Sequence, residues 1–218
     1  MELILIRHLK TPGNEKRQYI GSTEEELSEK EVLNFKQKYK IDSYPQVQQV
    51  IVSPMKRCIQ TAELIYPKNQ ITQEVLLKEC DFGIFEGKTY EELKDRAEYQ
   101  AWLDSGGTIA FPNGESREEF IQRCCEGLRE VFSQIEVSIS KKEKIVQFEN
   151  DLLTIGLVVH GGTIMALCSA FGGGEYFDYQ VANGAGYICN VNLDGEEIRF
   201  QSIQKIEMKT VHLFRGLH

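Results

Sequence analysis

The sequence predicts an α/β fold, a three-layer α/β/α sandwich with a mostly parallel central sheet and a helical cap insertion. Short apolar runs that suit buried strands alternate with segments that open on helix-capping residues. The most apolar run, 152–159, suits a central parallel strand and leads straight into His160-Gly161-Gly162 and a further helix. With 218 residues, 41% hydrophobic and 27% charged, the chain suits one compact domain with a full core. No repeat, low-complexity tract or Pro/Ser-rich linker divides it, so residues 1–218 are read as a single domain.

Residues 2–7 form an apolar run closed by Arg7, as for a buried strand delivering its C-terminal end to a site. A long polar loop follows over 9–27, and long loops inside compact domains tend to be functional. Ser28-Glu29-Lys30-Glu31 has capping-box spacing and predicts a helix to about residue 40. A second strand is expected at 49–52. Ser53-Pro54 then reads as an N-cap followed by proline at the first helical position, opening a helix to about residue 66. A third strand is expected at 74–77, ending near Glu79. Thr89 and Ser116 each stand three residues before a glutamate and predict helix starts on either side of the turn-rich stretch 105–114. The second of these helices runs to about residue 137, with Phe120, Leu128 and Val131 facing inward. Residues from about 85 to 135 form the cap. After the strand at 152–159 comes a helix from Thr163 to about residue 171. Finally, 186–193 and 197–204 flank Asp194-Gly195, a strong hairpin signal.

The net charge of −8 argues against a general nucleic-acid or anionic-membrane surface. The opening MELILIR is too short for a signal peptide and ends in Arg7, and no run approaches a membrane span. The six cysteines (Cys58, Cys80, Cys124, Cys125, Cys168, Cys189) lack CxxC or paired metal spacing and read as reduced, buried thiols. A cytosolic location is the expectation.

Ligands of open α/β sheets sit beyond the carboxyl ends of the strands. Three expected strands end in related groups: Arg7-His8, the 53–57 turn with Arg57, and His160. A fourth ends near Glu79. Two imidazoles, two guanidinium forks and one carboxylate would thus converge, a set suited to gripping a dianion and transferring it.

These residues also carry a family pattern. Leu5-Ile-Arg7-His8-Leu-Lys-Thr11-x-x-Asn14 resembles the signature of the histidine phosphatase superfamily, the phosphoglycerate-mutase-like fold. Ser53-Pro-Met-Lys-Arg57-Cys-Ile-Gln-Thr61-Ala62 resembles its second motif, the stretch from Glu79 to Gly87 the motif with the proton donor, and Val159-His160-Gly161-Gly162 the last motif. The segments 19–28 and 102–116 are similar to those of the small-phosphatase branch that includes alpha-ribazole phosphatases.

The resemblance implies that His8 attacks phosphorus to give a phosphohistidine, while Arg7, Arg57 and His160 hold the equatorial oxygens. It implies that Asn14, Gly161 and the backbone amides around Gly21 and Ser22 add neutral donors. Glu79 would protonate the leaving oxygen and then deprotonate water. No metal and no cofactor are needed. The substrate would be a small phosphorylated metabolite, with alpha-ribazole 5′-phosphate the best single guess, and the protein a monomer or homodimer. Two rivals stand beside this reading. One is a phosphoglycerate mutase, disfavoured because Lys88 is the only basic residue in 80–93. The other is a non-catalytic phosphate-binding protein of the same fold.

The chain departs from the pattern at Leu9, where glycine is usual; there it strains the backbone if φ is positive and narrows the pocket otherwise. Lys10 stands where an acidic residue is common, Lys30 falls near a common glycine, and Asn113 replaces a usual glycine in the cap. Glu86 is read as structural, Lys56 as solvated, and His212 and His218 as exposed. Gly87-Lys88-Thr89 only imitates the end of a P-loop. Trp102 and Phe111 suit either a substrate pocket or packing within the cap.

Overall fold

The computed structural model describes residues 1–39, 43–142, 152–195 and 197–207. Among these residues six strands build one sheet: β1 (Glu2–Arg7), β2 (Gln49–Val52), β3 (Ile71–Gln73), β4 (Thr154–Val159), β5 (Gly186–Asp194) and β6 (Glu197–Lys205). Their spatial order is β3-β2-β4-β1-β5-β6. The first four in that order are parallel, β5 runs antiparallel to β1, and β6 returns antiparallel to β5. Seven α-helices accompany them among the described residues: α1 (Pro12–Glu15), α2 (Glu29–Lys38), α3 (Lys56–Ile65), α4 (Tyr90–Leu93), α5 (Ala97–Asp104), α6 (Arg117–Lys142) and α7 (Gly161–Gly172).

Alternation along the central strands creates the three layers. Leu3, Leu5, Ile155, Leu157 and Val159 share a buried cluster with Phe120 and Leu128 of α6 and Ile164 and Leu167 of α7. Ile4, Ile6, Val50, Val52 and Val158 instead join Phe35 of α2 and Cys58, Ala62 and Ile65 of α3. A period of two thus sends successive β1 side chains to opposite helical layers. Burying each Leu or Ile is worth up to about 1.5–3 kcal/mol.

Several local expectations shift. The loop 9–27 contains the one-turn α1, in which Thr11 and Asn14 form a reciprocal capping box. Ser28 accepts from Glu31 N at 3.1 Å, but its own amide donates to Lys10 O at 2.9 Å, so only half of that box exists. α2 closes at Tyr39, and residue 40 lies outside the described residues. The third strand lies at Ile71–Gln73, pairing with Val50–Val52. Residues 74–77 curl into a 3-10 turn because the Glu74 carboxylate accepts from Leu76 N at 3.0 Å. α3 starts at Lys56 with Met55, not Ser53, at the N-cap position. α6 continues past 137 to Lys142, and α7 begins at Gly161. The β5–β6 hairpin turns at Gly195, where φ is 60°.

α4, α5 and the 105–116 connection carry an aromatic group in which Tyr99, Trp102 and Phe111 pack with Phe85. Asn113 sits there at φ 60°, a left-handed position that asparagine tolerates better than most residues. Among the described residues no helix is long and apolar enough to cross a membrane. His212 and His218 lie outside them.

Candidate active site

Because β2, β4 and β1 are neighbours, Ser53, His160 and Arg7-His8 leave the sheet at one edge. The ladder runs on into the site: His8 N donates to Val159 O at 2.9 Å and Ser53 N to Val158 O at 3.1 Å. The His8 and His160 rings meet edge to face with centroids 5.3 Å apart. Both rings and the Arg57 guanidinium are buried.

His8 Nδ1 lies 2.6 Å from Leu9 O. A carbonyl only accepts, so Nδ1 carries the proton and Nε2 keeps the lone pair. Leu9 is held in turn by its amide, which donates to Thr61 Oγ1 at 3.0 Å. Arg17 and Asn113 are the non-glycine residues with positive φ among those described, so Leu9 bears no left-handed strain. Nor does its side chain narrow the pocket. It packs with Ile4, Ile6, Leu27 and Phe35 in the core on the α2–α3 side. A methyl group built on Gly184 would sit 3.0 Å from Leu9 Cδ2, so a glycine at 184 makes room for the leucine.

Arg57 is fixed on three sides. Its Nη1 donates to Thr23 O at 2.8 Å, its Nη2 to Gly21 O at 2.7 Å, and its Nε to His160 Nδ1 at 3.3 Å. Since guanidinium only donates, His160 Nδ1 accepts, and Nε2 carries the hydrogen toward Ser53 Oγ at 2.7 Å. As placed, donation from His160 to an oxyanion would require the Ser53 bond to break. Ser53 therefore serves the site instead of capping α3, a role its Ser-Pro context hid. The Gly21 and Ser22 amides, expected to face an anion, donate to Glu86 at 2.9–3.1 Å. Glu86 also accepts from Thr23 Oγ1 at 2.7 Å and Phe82 N at 3.2 Å. Its structural role is thus to clamp the loop whose carbonyls orient Arg57. A Gly21 Cβ would fall 1.9 Å from Cys80 O, so that crossing requires glycine.

Glu79 Oε1 accepts from Cys80 N at 3.0 Å, and Oε2 accepts from Gly162 N at 3.1 Å in the first turn of α7. Arg7 donates through Nη1 to Val181 O at 2.8 Å, while its Nε is buried without a partner. Gly161 approaches the same guanidinium: a Cβ there would lie 3.2 Å from Arg7 Nε. Asn14 Oδ1 accepts from Thr11 N and Asn183 Nδ2, and Asn14 lines a shallow cavity that Arg7 also borders. Lys56 pairs with Glu26 at the surface. The Lys88 ammonium donates to Ile84 O and Thr89 caps α4, so neither forms a phosphate loop.

Burial holds both imidazoles well below the usual histidine range, and the Arg57 and Arg7 charges push the same way, which favours the neutral form of both rings. Burial raises the Glu79 carboxyl, opposed by the Cys80 and Gly162 amides and by Arg57 and Arg7. A carboxyl set upward in this way is suited to give and take a proton. Arg7, Glu79, Gly161 and Gly162 line a cavity of about 370 Å³ whose remaining wall is largely aromatic.

A sequence model of the histidine phosphatase superfamily (branch 1) matches residues 3–205. Phosphoserine phosphatase 1 of Hydrogenobacter thermophilus is 28% identical over 60% of this chain and 64% of its own length, just under two thirds. Metal-independent phosphoserine phosphatase of Arabidopsis thaliana is 25% identical over 92% of this chain and 77% of its own. Among solved structures, the alpha-ribazole phosphatase from Shigella flexneri superposes with a TM-score of 0.66 at 21% identity, covering 92% of this chain and 95% of that one; this shows a shared fold.

Proposed function

The chain belongs to the histidine phosphatase superfamily (branch 1), and on that footing we propose that it is a metal-independent phosphomonoesterase acting through a phosphohistidine on His8. One observation carries the reading: His8 Nδ1 is spent on Leu9 O, leaving a lone pair on Nε2 of a buried ring on which the Arg57 and Arg7 charges act.

His8 Nε2 attacks phosphorus as the ester P–O bond breaks, and the leaving alkoxide takes the proton of Glu79. The Nδ1–H···O=C contact steadies the positive ring that forms. Water then attacks phosphorus and gives its proton to Glu79 as the P–N bond breaks and its electron pair returns to His8 Nε2, releasing inorganic phosphate. Arg7 and Arg57 meet the charge that spreads over the equatorial oxygens. His160 and Ser53 hold Arg57 in place. Because two arginines supply the positive charge, the scheme calls for no metal and no cofactor.

The proposed substrate is a small phosphorylated metabolite. Alpha-ribazole 5′-phosphate is favoured by the resemblance at 19–28 and 102–116 and by the fold shared with the Shigella phosphatase. Phosphoserine is the second reading, suggested by the relatives' names. A mutase reading lacks support, because the ammonium of Lys88 is tied to Ile84 O. Six free, buried thiols suit the reducing cytosol. The test is hydrolysis of 4-nitrophenyl phosphate in excess chelator, with rapid quenching to trap one phosphoryl group on His8. Turnover that survives His8→Ala, or that chelation removes, would overturn the scheme.

A further inference from the structure

We propose that Arg17 is an anion-capture residue, whose guanidinium draws the phosphoryl dianion toward Arg7 through the shallow cavity that Asn14 borders. This rests on the phosphatase reading and adds to it a residue that acts on binding and takes no part in bond breaking.

The backbone at Arg17 is uncommon for its residue type. α1 ends at Glu15 with Lys16 as its C-cap, so Arg17 is the first residue beyond the helix. Its amide donates to Asn14 O at 3.1 Å, and the amide of Gln18 donates to Gly13 O at 3.0 Å. This pair of bonds closes a helix through one left-handed residue, and Arg17 takes that conformation at φ 59°. Glycine fills such a place most often, because a β-carbon crowds the following carbonyl there. The other non-glycine residue with positive φ among those described is an asparagine, which tolerates it. Backbone strain of this kind gathers at functional sites, and the group it positions here is a cation.

Arg17 lines a cavity of about 260 Å³ together with Arg7, Asn14 and Asn183. The charged residues of that lining are the two arginines. Asn14 adds neutral donors. The Thr11 amide can only donate, so the Asn14 atom it meets at 3.3 Å is Oδ1. Asn183 Nδ2, oriented by its bond to His8 O at 3.0 Å, occupies the second lone pair of that oxygen at 3.2 Å. The free end of the Asn14 amide is therefore its NH2 group. Arg17 is exposed, and among the described residues its side chain forms no ion pair. Glu15, close by in sequence, accepts from Ser28 Oγ at 2.8 Å instead.

A phosphate dianion approaching this chain is opposed by its net charge of −8, so attraction has to come from a local cluster of cations. Taken as a sphere, the cavity is narrower than the Debye length of about 10 Å at 0.1 M salt, so a charge at its rim acts on an anion at Arg7. The leaving oxygen must reach Glu79, which lines the larger cavity and not this one. The alcohol half thus lies away from Arg17, and the phosphoryl end is what Arg17 meets.

The test measures kcat and KM for phenyl phosphate at low and high salt, and the Kd of inorganic phosphate by calorimetric titration, in Arg17→Gly, Arg17→Gln and Arg17→Lys. The glycine and glutamine variants should raise KM and Kd about fivefold at roughly 10 mM ionic strength, with kcat within about twofold of wild type. At about 1 M salt the difference should shrink below about twofold. The lysine variant, which keeps the charge, should stay within about twofold of wild type throughout. Arg17→Gly should melt no lower than wild type, because glycine suits the left-handed position. Unchanged KM and Kd in the two neutral variants, a loss that salt does not relieve, or a fall in kcat with KM steady would overturn the proposal. A wild-type protein that binds phosphate but hydrolyses no ester would instead sink the phosphatase reading, while the titrations still decide the role of Arg17.

Discussion

Gly162→Ala tests the placement of Glu79, the proposed proton donor, most directly. A Cβ at 162 would lie 2.3 Å from Glu79 Oε1 and 3.1 Å from both Glu79 Cδ and Phe120 Cε1. Ordinary contact begins at 3.4 Å, so the carboxyl must retreat by roughly 1 Å. The rigid side of the clash is α7 backbone and a buried phenyl ring, so the carboxyl yields, and its bond from Gly162 N at 3.1 Å goes with it. A misplacement of about 1 Å in a catalytic group costs on the order of 10²-fold, or about 2.7 kcal/mol of barrier. We expect that loss in kcat for an alkyl phosphate. With 4-nitrophenyl phosphate, whose leaving group needs little proton, a burst of one equivalent of nitrophenolate should precede slow turnover, because water attack still needs Glu79. The amide of Gly162 favours the charged carboxylate, so losing it raises the Glu79 pKa further. The acid form then persists to higher pH, and the descending limb of the pH profile moves up. Gly161→Ala is the control, since its Cβ lies 3.2 Å from Arg7 Nε, a gap closed by a few tenths of an ångström. A Gly162→Ala enzyme within about threefold of wild type, its descending limb unmoved, would refute the assignment of Glu79.

Ser53→Ala should leave the buried His160 Nε2–H without its acceptor at 2.7 Å, costing about 1–3 kcal/mol of stability. Thermal melts should show a fall of roughly 2–12 °C, with kcat/KM reduced as Arg57 loosens, and an unchanged Tm would count against the His160–Ser53 bond. Stability should also fall with acid. His8 and His160 resist protonation when folded, whereas the unfolded chain binds those protons near pH 6.5. Their contribution is present above about 6.5 and lost as pH drops below it. Tm should therefore decline from pH 7.5 to pH 5, less steeply in His8→Asn; equal slopes would refute the neutral buried imidazole.

Much of this was legible in the residues themselves. β1 and β2 lie where the apolar runs at 2–7 and 49–52 place them, and Asp194-Gly195 turns the hairpin. Arg7 ends β1, His8 and His160 directly follow β1 and β4, and Arg57 stands in the first turn of α3, whereas Glu79 is reached only through the 3-10 turn after β3. The strand at 74–77 failed because a local Glu74 cap competes with the sheet there, which apolar patterning does not register. Ser53 was misread for the opposite reason: its Ser-Pro setting favours a local cap, but the hydroxyl finds a partner 107 residues away. Glu86, read as structural, has as its main partners residues 63–65 positions earlier.

Sequence alone determined the chemical kinds present and the order in which strands deliver them, since hydrophobic period and helix caps act over a few residues. Tertiary structure alone decided what each group does once delivered. Which nitrogen of His8 is free, where Leu9 hides its side chain, and which carbonyls aim Arg57 all depend on contacts between segments distant in the chain. Hydrogen-bond direction and burial are properties of those contacts, and they come into being only when the strands pair.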